Sequence, residues 1–172
     1  LTNFVTLNAS LLSVAISFFL FGYIFLDKFK PLKFELFEWF PDPQIVFEFY
    51  LDGLSGVMMV LISTLSLVIQ LFSTSYMSKD EKYTKYFEYF NFFVFSMLLL
   101  VMSGNFLVMF FGWELVGLSS YLLISFWSEK KSASKAGNKA FILNRIGDFG
   151  FLIGLMMILN YFETFNFLSI FE

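Results

Sequence analysis

Three ionisable residues in otherwise apolar segments carry the chemistry that this sequence allows. Glu114 is the only charged residue of the apolar run at 105–127, and Arg145 and Asp148 lie in the next run, at 139–162. A charge near the middle of a bilayer costs about 2.5–3.5 kcal/mol, and such residues usually face a protein interior or a water path. Desolvation favours the neutral form of a carboxylate, and an adjacent cation favours its charged form. We therefore expect Glu114 to bind and release a proton as a neighbouring cation moves.

A purely structural role is the alternative for these residues. Arg145 and Asp148 are at i and i+3, so on a helix they share one face and can pair. A fixed pair of Arg145 with Glu114 or with Asp148 would only lock two helices together. The sequence leaves both roles open, although ionisable residues inside a membrane are by default candidates for function.

The composition identifies an integral membrane protein. Hydrophobic residues make up 58% of the 172 positions and charged residues 15%, whereas soluble domains average about 45–50% and about 25%. The sequence has no Cys and no His, which excludes disulfides, thiolate-bound clusters, Cys/His zinc sites and proton transfer by imidazole. It also lacks a glycine-rich phosphate loop. We therefore expect no metal and no cofactor on this chain.

Five apolar segments can position these residues, because a helix of about 20 residues crosses a bilayer. The sequence predicts an all-α integral membrane protein with about five transmembrane helices. The predicted spans are residues 7–26, 54–72, 87–102, 105–127 and 139–162.

The connection between the first two spans has a different character. Residues 27–51 contain all three prolines of the chain, and apolar and polar residues alternate over 47–52 as in a strand. We expect an ordered connector on the membrane surface, with or without a small β-hairpin. The predicted division is a first helix at 1–26, this surface loop at 27–51 and a membrane domain at 52–172.

The loops on the two sides of the membrane differ in charge. The loops at 73–86 and 128–139 carry seven lysines on the side of the N-terminus, whereas the loop at 27–51 carries three on the other side. The positive-inside rule places the seven lysines in the cytoplasm or matrix. From that surface, a rise of 1.5 Å per residue puts Glu114 about 20 Å deep and Asp148 about 13 Å deep. Both therefore lie within about one turn of the bilayer midplane, which is about 15 Å deep.

Two further patterns predict contacts between helices. Gln70 is the only amide in the second span, and we expect it to form a hydrogen bond to another helix. Gly147, Gly150 and Gly154 form a stripe on one helix face, which predicts a close helix contact there.

Three motifs together resemble one family of membrane subunits. They are LDGLSG at 51–56, FSMLLLVMSGNFLVMFFGWELVGLSSYLLISFW at 95–127 and NRIGDFGF at 144–151. These motifs, in this order and at this spacing, closely resemble subunit 5 of NADH:ubiquinone oxidoreductase, an antiporter-like membrane subunit of respiratory complex I. The resemblance covers roughly residues 47–162.

The resemblance implies roles for the three site residues. Glu114 matches the intramembrane Glu of the family, which pairs with a Lys on a later helix and takes part in proton translocation. Arg145 and Asp148 match a polar pair that is associated with proton conduction and coupling between subunits. The chain resembles only an early part of the family, so we expect a split gene product or a fragment whose Lys partner lies on another chain.

The resemblance also implies a setting for the chain. It would be a subunit of proton-pumping NADH:ubiquinone reductase, with no redox chemistry and no quinone, NADH or flavin site of its own. The implied partners are other complex I membrane subunits, including a chain that supplies the remaining antiporter-like helices, and membrane lipids, but no nucleic acid. The 28 Phe residues suggest an AT-rich organelle genome. We therefore expect a multi-pass protein of the mitochondrial inner membrane, with its N-terminus on the matrix side.

Two other functions remain open at this point. A multisubunit sodium/proton antiporter has a large subunit that shares these motifs. A membrane scaffold that kept the fold and lost transport would also fit the sequence.

Overall fold

The computed structural model describes residues 2–28, 30–41 and 44–171, and most of them are helical. In chain order the elements are α1 (Thr2–Leu26), β1 (Leu32–Pro41), β2 (Gln44–Leu51), α2 (Gly53–Tyr76), α3 (Tyr83–Val101), α4 (Phe106–Ile124), α5 (Lys131–Phe162) and α6 (Phe167–Phe171). Among these residues, four helices are long and apolar enough to cross a membrane, namely α1, α2, α4 and α5. The predicted helical membrane fold is confirmed, and the two strands add a hairpin to it.

α3 differs from the other long helices in composition. Its first half carries Lys85, Glu88 and Asn91, and within the described chain it is not one of the helices that length and composition identify as spans. It nevertheless packs against α2 and α4. The fifth span predicted at 87–102 therefore stays a prediction.

Side-chain caps fix where α2 and α4 begin. The Asp52 carboxylate accepts from Ser55 N at 2.8 Å, and Ser55 Oγ accepts from Asp52 N at 2.7 Å, so the two residues form a capping box. Asn105 Oδ1 accepts from Val108 N at 2.9 Å in the same way at the start of α4. These caps satisfy backbone donors that a helix end leaves without an intrahelical partner.

The hairpin of β1 and β2 is docked on the turn between α3 and α4. The strands are antiparallel, with Leu32 opposite Leu51 at the open end. Tyr50 N donates to Met102 O at 2.9 Å, and Gly104 N donates to the backbone oxygen of Glu48 at 3.0 Å. The hairpin therefore holds the end of α3 and the start of α4. The division of the chain at residues 26 and 51 stays a prediction.

The helices differ in how closely they pack. A Cβ at Gly112 of α4 would lie 2.8 Å from Leu100 Cα of α3, so the close approach of these two helices requires glycine there. Between α2 and α3, Gln70 Nε2 donates to Asn91 Oδ1 at 2.5 Å, which confirms the predicted bond between helices.

α5 packs on α4 through large side chains. Leu155 is fully buried, and Phe151 lies edge-on to Phe110 at 5.3 Å. At the stripe of Gly147, Gly150 and Gly154, no atom outside the neighbouring backbone of α5 lies within 4 Å of any of the three Cβ positions among the described residues. The predicted close contact along this stripe is therefore wrong for the helices described, because the contact with α4 is made by the face that carries Phe151 and Leu155.

Candidate functional site

The packing of α4 on α5 brings the three predicted site residues together. Arg145 Nη1 contacts Glu114 Oε2 on α4, and the same nitrogen lies 3.9 Å from Asp148 Oδ2, one turn along α5. The exposed fractions of the side chains are 18% for Glu114, 9% for Asp148 and 47% for Arg145. The carboxylates are thus inside the helix pair, whereas the guanidinium reaches its edge. Their role in transport stays a prediction.

Two aromatic side chains complete this site. Trp113 Nε1 donates to Asp148 Oδ1 at 2.9 Å, and Arg145 lies 4.9 Å from the centre of the Phe141 ring. An arginine over an aromatic face is attracted by the ring quadrupole. Neither aromatic residue was predicted as part of the site. The available signal for Trp113 was its position immediately before Glu114, in the segment GWE.

The charges of this site do not cancel when all three groups are ionised. Two carboxylates and one guanidinium leave a single negative charge between two membrane helices. An uncompensated charge at this depth is unfavourable, so a proton on either carboxylate, or a second cation, would neutralise the site. The site thus contains one more carboxylate than cation among the three groups that form it.

A second polar cluster lies at the hairpin. Glu48 of β2 is 2% exposed, with Oε2 at 2.9 Å from Lys33 Nζ and Oε1 accepting from Asn166 Nδ2 at 2.7 Å. A Cβ at Gly104 would lie 2.6 Å from Glu48 Cγ, so position 104 must be glycine for the turn to approach β2 this closely. The cluster lines a polar cavity of about 290 Å³. The sequence pattern placed Glu48 on the polar side of a strand but gave no sign of its distant partner Asn166.

The charge of Lys33 reflects this environment. The hydrogen bond to Glu48 raises the pKa of the Lys33 amine, and a second bond to Glu35 adds to the effect, while burial opposes it. The two carboxylates thus stabilise the charged form of Lys33.

A third cluster joins two loops at the opposite end of the helices. Trp127 Nε1 donates to Asp80 Oδ2 at 2.9 Å, and Lys82 forms an ion pair with Glu129. The bond from Trp127 is the main reason why the pKa of Asp80 lies below its ordinary value. Lys130 lies 4.5 Å from the centre of the Trp127 ring. These contacts bring the two lysine-rich loops together at one end, which we call the lysine-rich end.

No cluster that could hold a metal ion occurs within residues 2–28, 30–41 and 44–171, taking three or more His, Cys, Asp or Glu as the minimum.

Two family models match consecutive parts of the chain. The model described as the N-terminus of chain 5 of NADH-ubiquinone oxidoreductase (complex I) matches residues 39–87. The model described as NADH:quinone oxidoreductase/Mrp antiporter, TM, matches residues 103–172 and includes all three site residues.

Curated relatives and solved structures agree with these models. NADH-quinone oxidoreductase subunit L of Neisseria meningitidis serogroup B is 43% identical over 164 residues, which are 90% of this chain and 24% of that protein. NADH-ubiquinone oxidoreductase chain 5 of Acanthamoeba castellanii is 40% identical over 171 residues, or 98% of this chain and 25% of that protein. The chain thus spans about a quarter of the length of these relatives.

Two solved complexes contain the same fold. The archaeal membrane-bound sulfane sulfur reductase matches with a TM-score of 0.81 and 22% identity, over 94% of this chain and 32% of the matched chain. The Mrp complex of Dietzia matches with a TM-score of 0.73 and 20% identity, over 96% of this chain and 20% of the matched chain. The family models and the relatives together show that the chain belongs to the antiporter-like membrane subunits of the complex I family. This family includes NADH-quinone oxidoreductase subunit L and NADH-ubiquinone oxidoreductase chain 5.

Proposed function

We propose that this chain forms part of the proton-translocating membrane arm of respiratory complex I, and that Glu114 carries the proton. The observation that carries the proposal is the position of Arg145, which contacts Glu114 and lies 3.9 Å from Asp148 between two apolar helices. One cation is shared by two carboxylates, so a small displacement of the guanidinium changes which carboxylate it stabilises.

The proton transfer follows from this sharing. While Arg145 contacts Glu114, it stabilises the negative charge on that carboxylate. When the guanidinium moves towards Asp148, Glu114 is left as an unpaired charge at low dielectric and takes up a proton. The return of Arg145, or the approach of another cation, releases it. The resemblance implies a Lys on a later helix for that second cation, and the exposed side of Arg145 leaves the edge of the site open to it.

We further propose that the chain acts as a subunit of proton-pumping NADH:ubiquinone reductase, with the redox chemistry on other subunits. Its partners are other membrane subunits of the complex and anionic lipids near the lysines. We place it in the mitochondrial inner membrane with the N-terminus in the matrix. The contacts of Asp80 with Trp127 and of Lys82 with Glu129 support this orientation, because they gather the lysine-rich loops at one end.

Replacement of Glu114 tests the proposal. We expect Glu114→Gln to lower NADH-driven proton transport at least about tenfold per assembled complex, since Gln cannot take up and release a proton. Glu129→Gln is the matched control, because Glu129 also pairs with a cation but is 79% exposed at the lysine-rich end. Transport is measured in membrane vesicles and normalised to complex on native gels. Full transport by an assembled Glu114→Gln complex would refute the proposal and favour the non-transporting scaffold.

A subunit of a multisubunit sodium/proton antiporter is the second candidate. It is favoured by the family model that names the Mrp antiporter and by the likeness in fold to the Mrp complex. Native purification separates the two candidates. Complex I subunits that accompany the chain support the first, whereas antiporter subunits and sodium-dependent transport support the second.

A further inference from the structure

Asp148 has a different neighbour on each carboxylate oxygen. Oδ1 accepts a hydrogen bond from Trp113 Nε1 at 2.9 Å, whereas Oδ2 lies 3.9 Å from Arg145 Nη1. Hydrogen bonds from N–H to oxygen are about 2.7–3.2 Å long, so the second distance is an electrostatic contact only. The direct partner of Asp148 is thus the indole of α4 and not the arginine of its own helix.

Arg145 makes its direct contact on the other helix. Its spacing of three residues from Asp148 is favourable for an ion pair on one helix face. The guanidinium instead contacts Glu114 on α4, while the ring of Phe141 lies 4.9 Å from it. Two carboxylates therefore compete for one guanidinium. Glu114, which is more distant from Arg145 in sequence than Asp148, makes the direct contact.

We propose that Trp113 decides this competition by binding Asp148, and so keeps Arg145 on Glu114. The indole N–H is a donor only, so it stabilises a carboxylate without taking the cation from its neighbour. Trp113 and Glu114 are consecutive in α4, so a single turn of that helix supplies both the donor for Asp148 and the partner for Arg145. Without the N–H, Asp148 draws Arg145 along α5 and Glu114 loses its cation.

Trp113 is in this sense a positioning residue that acts through Asp148, and its proposed role rests on the proposed proton transport by Glu114. Half of its surface is exposed, and its ring lies edge-on to Phe151 at 6.1 Å. The N–H and the ring therefore make separate contacts, which separate variants can remove.

Two substitutions distinguish the N–H from the ring. Trp113→Phe keeps an aromatic ring beside Phe151 and removes the donor, whereas Trp113→Gln keeps an N–H donor and removes the ring. In vesicles whose complex carries the full chain, we expect Trp113→Phe to lower NADH-driven proton transport about tenfold per assembled complex, the effect of losing a hydrogen bond to a charged group. We expect Trp113→Gln to retain most of the transport. The pH profile of transport should be displaced in Trp113→Phe and should follow the parent in Trp113→Gln.

Other outcomes separate the two proposals. Parental transport and an unchanged pH profile in Trp113→Phe, or better transport in Trp113→Phe than in Trp113→Gln, would show that only the ring matters and would overturn the positioning role. A Trp113→Phe chain that fails to assemble, beside a Trp113→Gln chain that assembles, would make the N–H a folding requirement and would overturn it as well. Glu114→Gln in the same assay tests the proposed function by itself. If that variant abolishes transport while Trp113→Phe is normal, only the role of Trp113 fails.

Discussion

Two clusters in the part of the chain that the structure describes contain a largely buried carboxylate beside a cation, and they are built differently. At the hairpin, both oxygens of Glu48 have direct partners, Lys33 at 2.9 Å and Asn166 at 2.7 Å. Between α4 and α5, Glu114 shares the guanidinium of Arg145 with a second carboxylate, Asp148. In the first cluster each oxygen of the buried carboxylate has its own partner, and the second carboxylate on the cation, Glu35, is 60% exposed. In the second cluster both carboxylates that share the cation are largely buried. This difference agrees with a structural role for the first cluster and with the proposed change of charge at the second.

The surroundings of the two clusters strengthen this contrast. Glu48 lies where a strand meets the turn at Gly104, and its backbone is hydrogen-bonded there as well. Glu114 lies within one membrane helix and meets Arg145 through side chains alone. We therefore expect changes at the hairpin to lower stability and changes at α4 and α5 to lower transport.

The largest effect is expected from Arg145→Gln. This change leaves Glu114 and Asp148 without their shared guanidinium inside the helix pair, which is unfavourable at this depth. We expect proton transport per assembled complex to fall at least about tenfold, and Arg145→Lys to be intermediate because it keeps the charge without the planar fork. The measurement is NADH-driven transport in vesicles with complex quantified on native gels. If Arg145→Gln transports normally, sharing of this cation is not the basis of the contrast.

A smaller effect, on stability, is expected from Glu48→Ala. The change removes the acceptor of Asn166 and one of the two carboxylate partners of Lys33 at a buried position. We expect a loss of about 1–2 kcal/mol, measured as a lower thermal midpoint of the purified complex. The expected loss of stability is at the low end of what buried polar groups without a partner cost, because Lys33 is 37% exposed. Glu35→Gln is the matched control, since Glu35 also pairs with Lys33 but is 60% exposed, and surface pairs contribute about 0–1 kcal/mol. A loss of transport in a Glu48→Ala complex of parental stability would break the contrast.

The smallest effect is expected in how the stability contributed by the hairpin cluster depends on pH. The pKa of Lys33 is raised above its ordinary value of 10.5, mainly by Glu48. A raised pKa means that the contribution of the charged amine is fully present below the ordinary value and is lost as pH rises through the raised one. We expect the difference in thermal midpoint between the parent and Glu48→Gln to stay constant from about pH 6 to about pH 9. A difference that changes within this interval would assign the effect to a group other than Lys33.

The sequence predicted the parts of the molecule that depend on hydrophobicity. The apolar runs located the helices, and charges inside those runs identified Glu114, Arg145 and Asp148 as neighbours. Helix ends were less predictable, because hydrophobicity marks where a bilayer begins and not where a helix begins. α5 starts at Lys131, eight residues before the predicted span, since its polar first turns are compatible with helix.

The contacts that depend on exact geometry were not predictable. The bond between Glu48 and Asn166 joins residues 118 positions apart, and no local pattern reports such a pair. The bond from Trp113 to Asp148 depends on the rotation of α4 against α5. The glycine stripe of α5 shows the converse case, because small residues permit a close contact without specifying a partner, and none of the described helices packs along it.

The ends of α4 and α5 at the hairpin are also tied to each other. Phe106 N donates to Phe165 O at 3.0 Å, and Asn105 pairs with Asn166 as an isolated bridge. At the lysine-rich end, the same two helices are joined covalently by the short turn before Lys131. The two helices are thus connected to each other at both ends, with Glu114 and Asp148 between these connections. Because both ends are connected, the two helices cannot easily separate. A change at this site is therefore expected as a movement of the long Arg145 side chain and not of a helix.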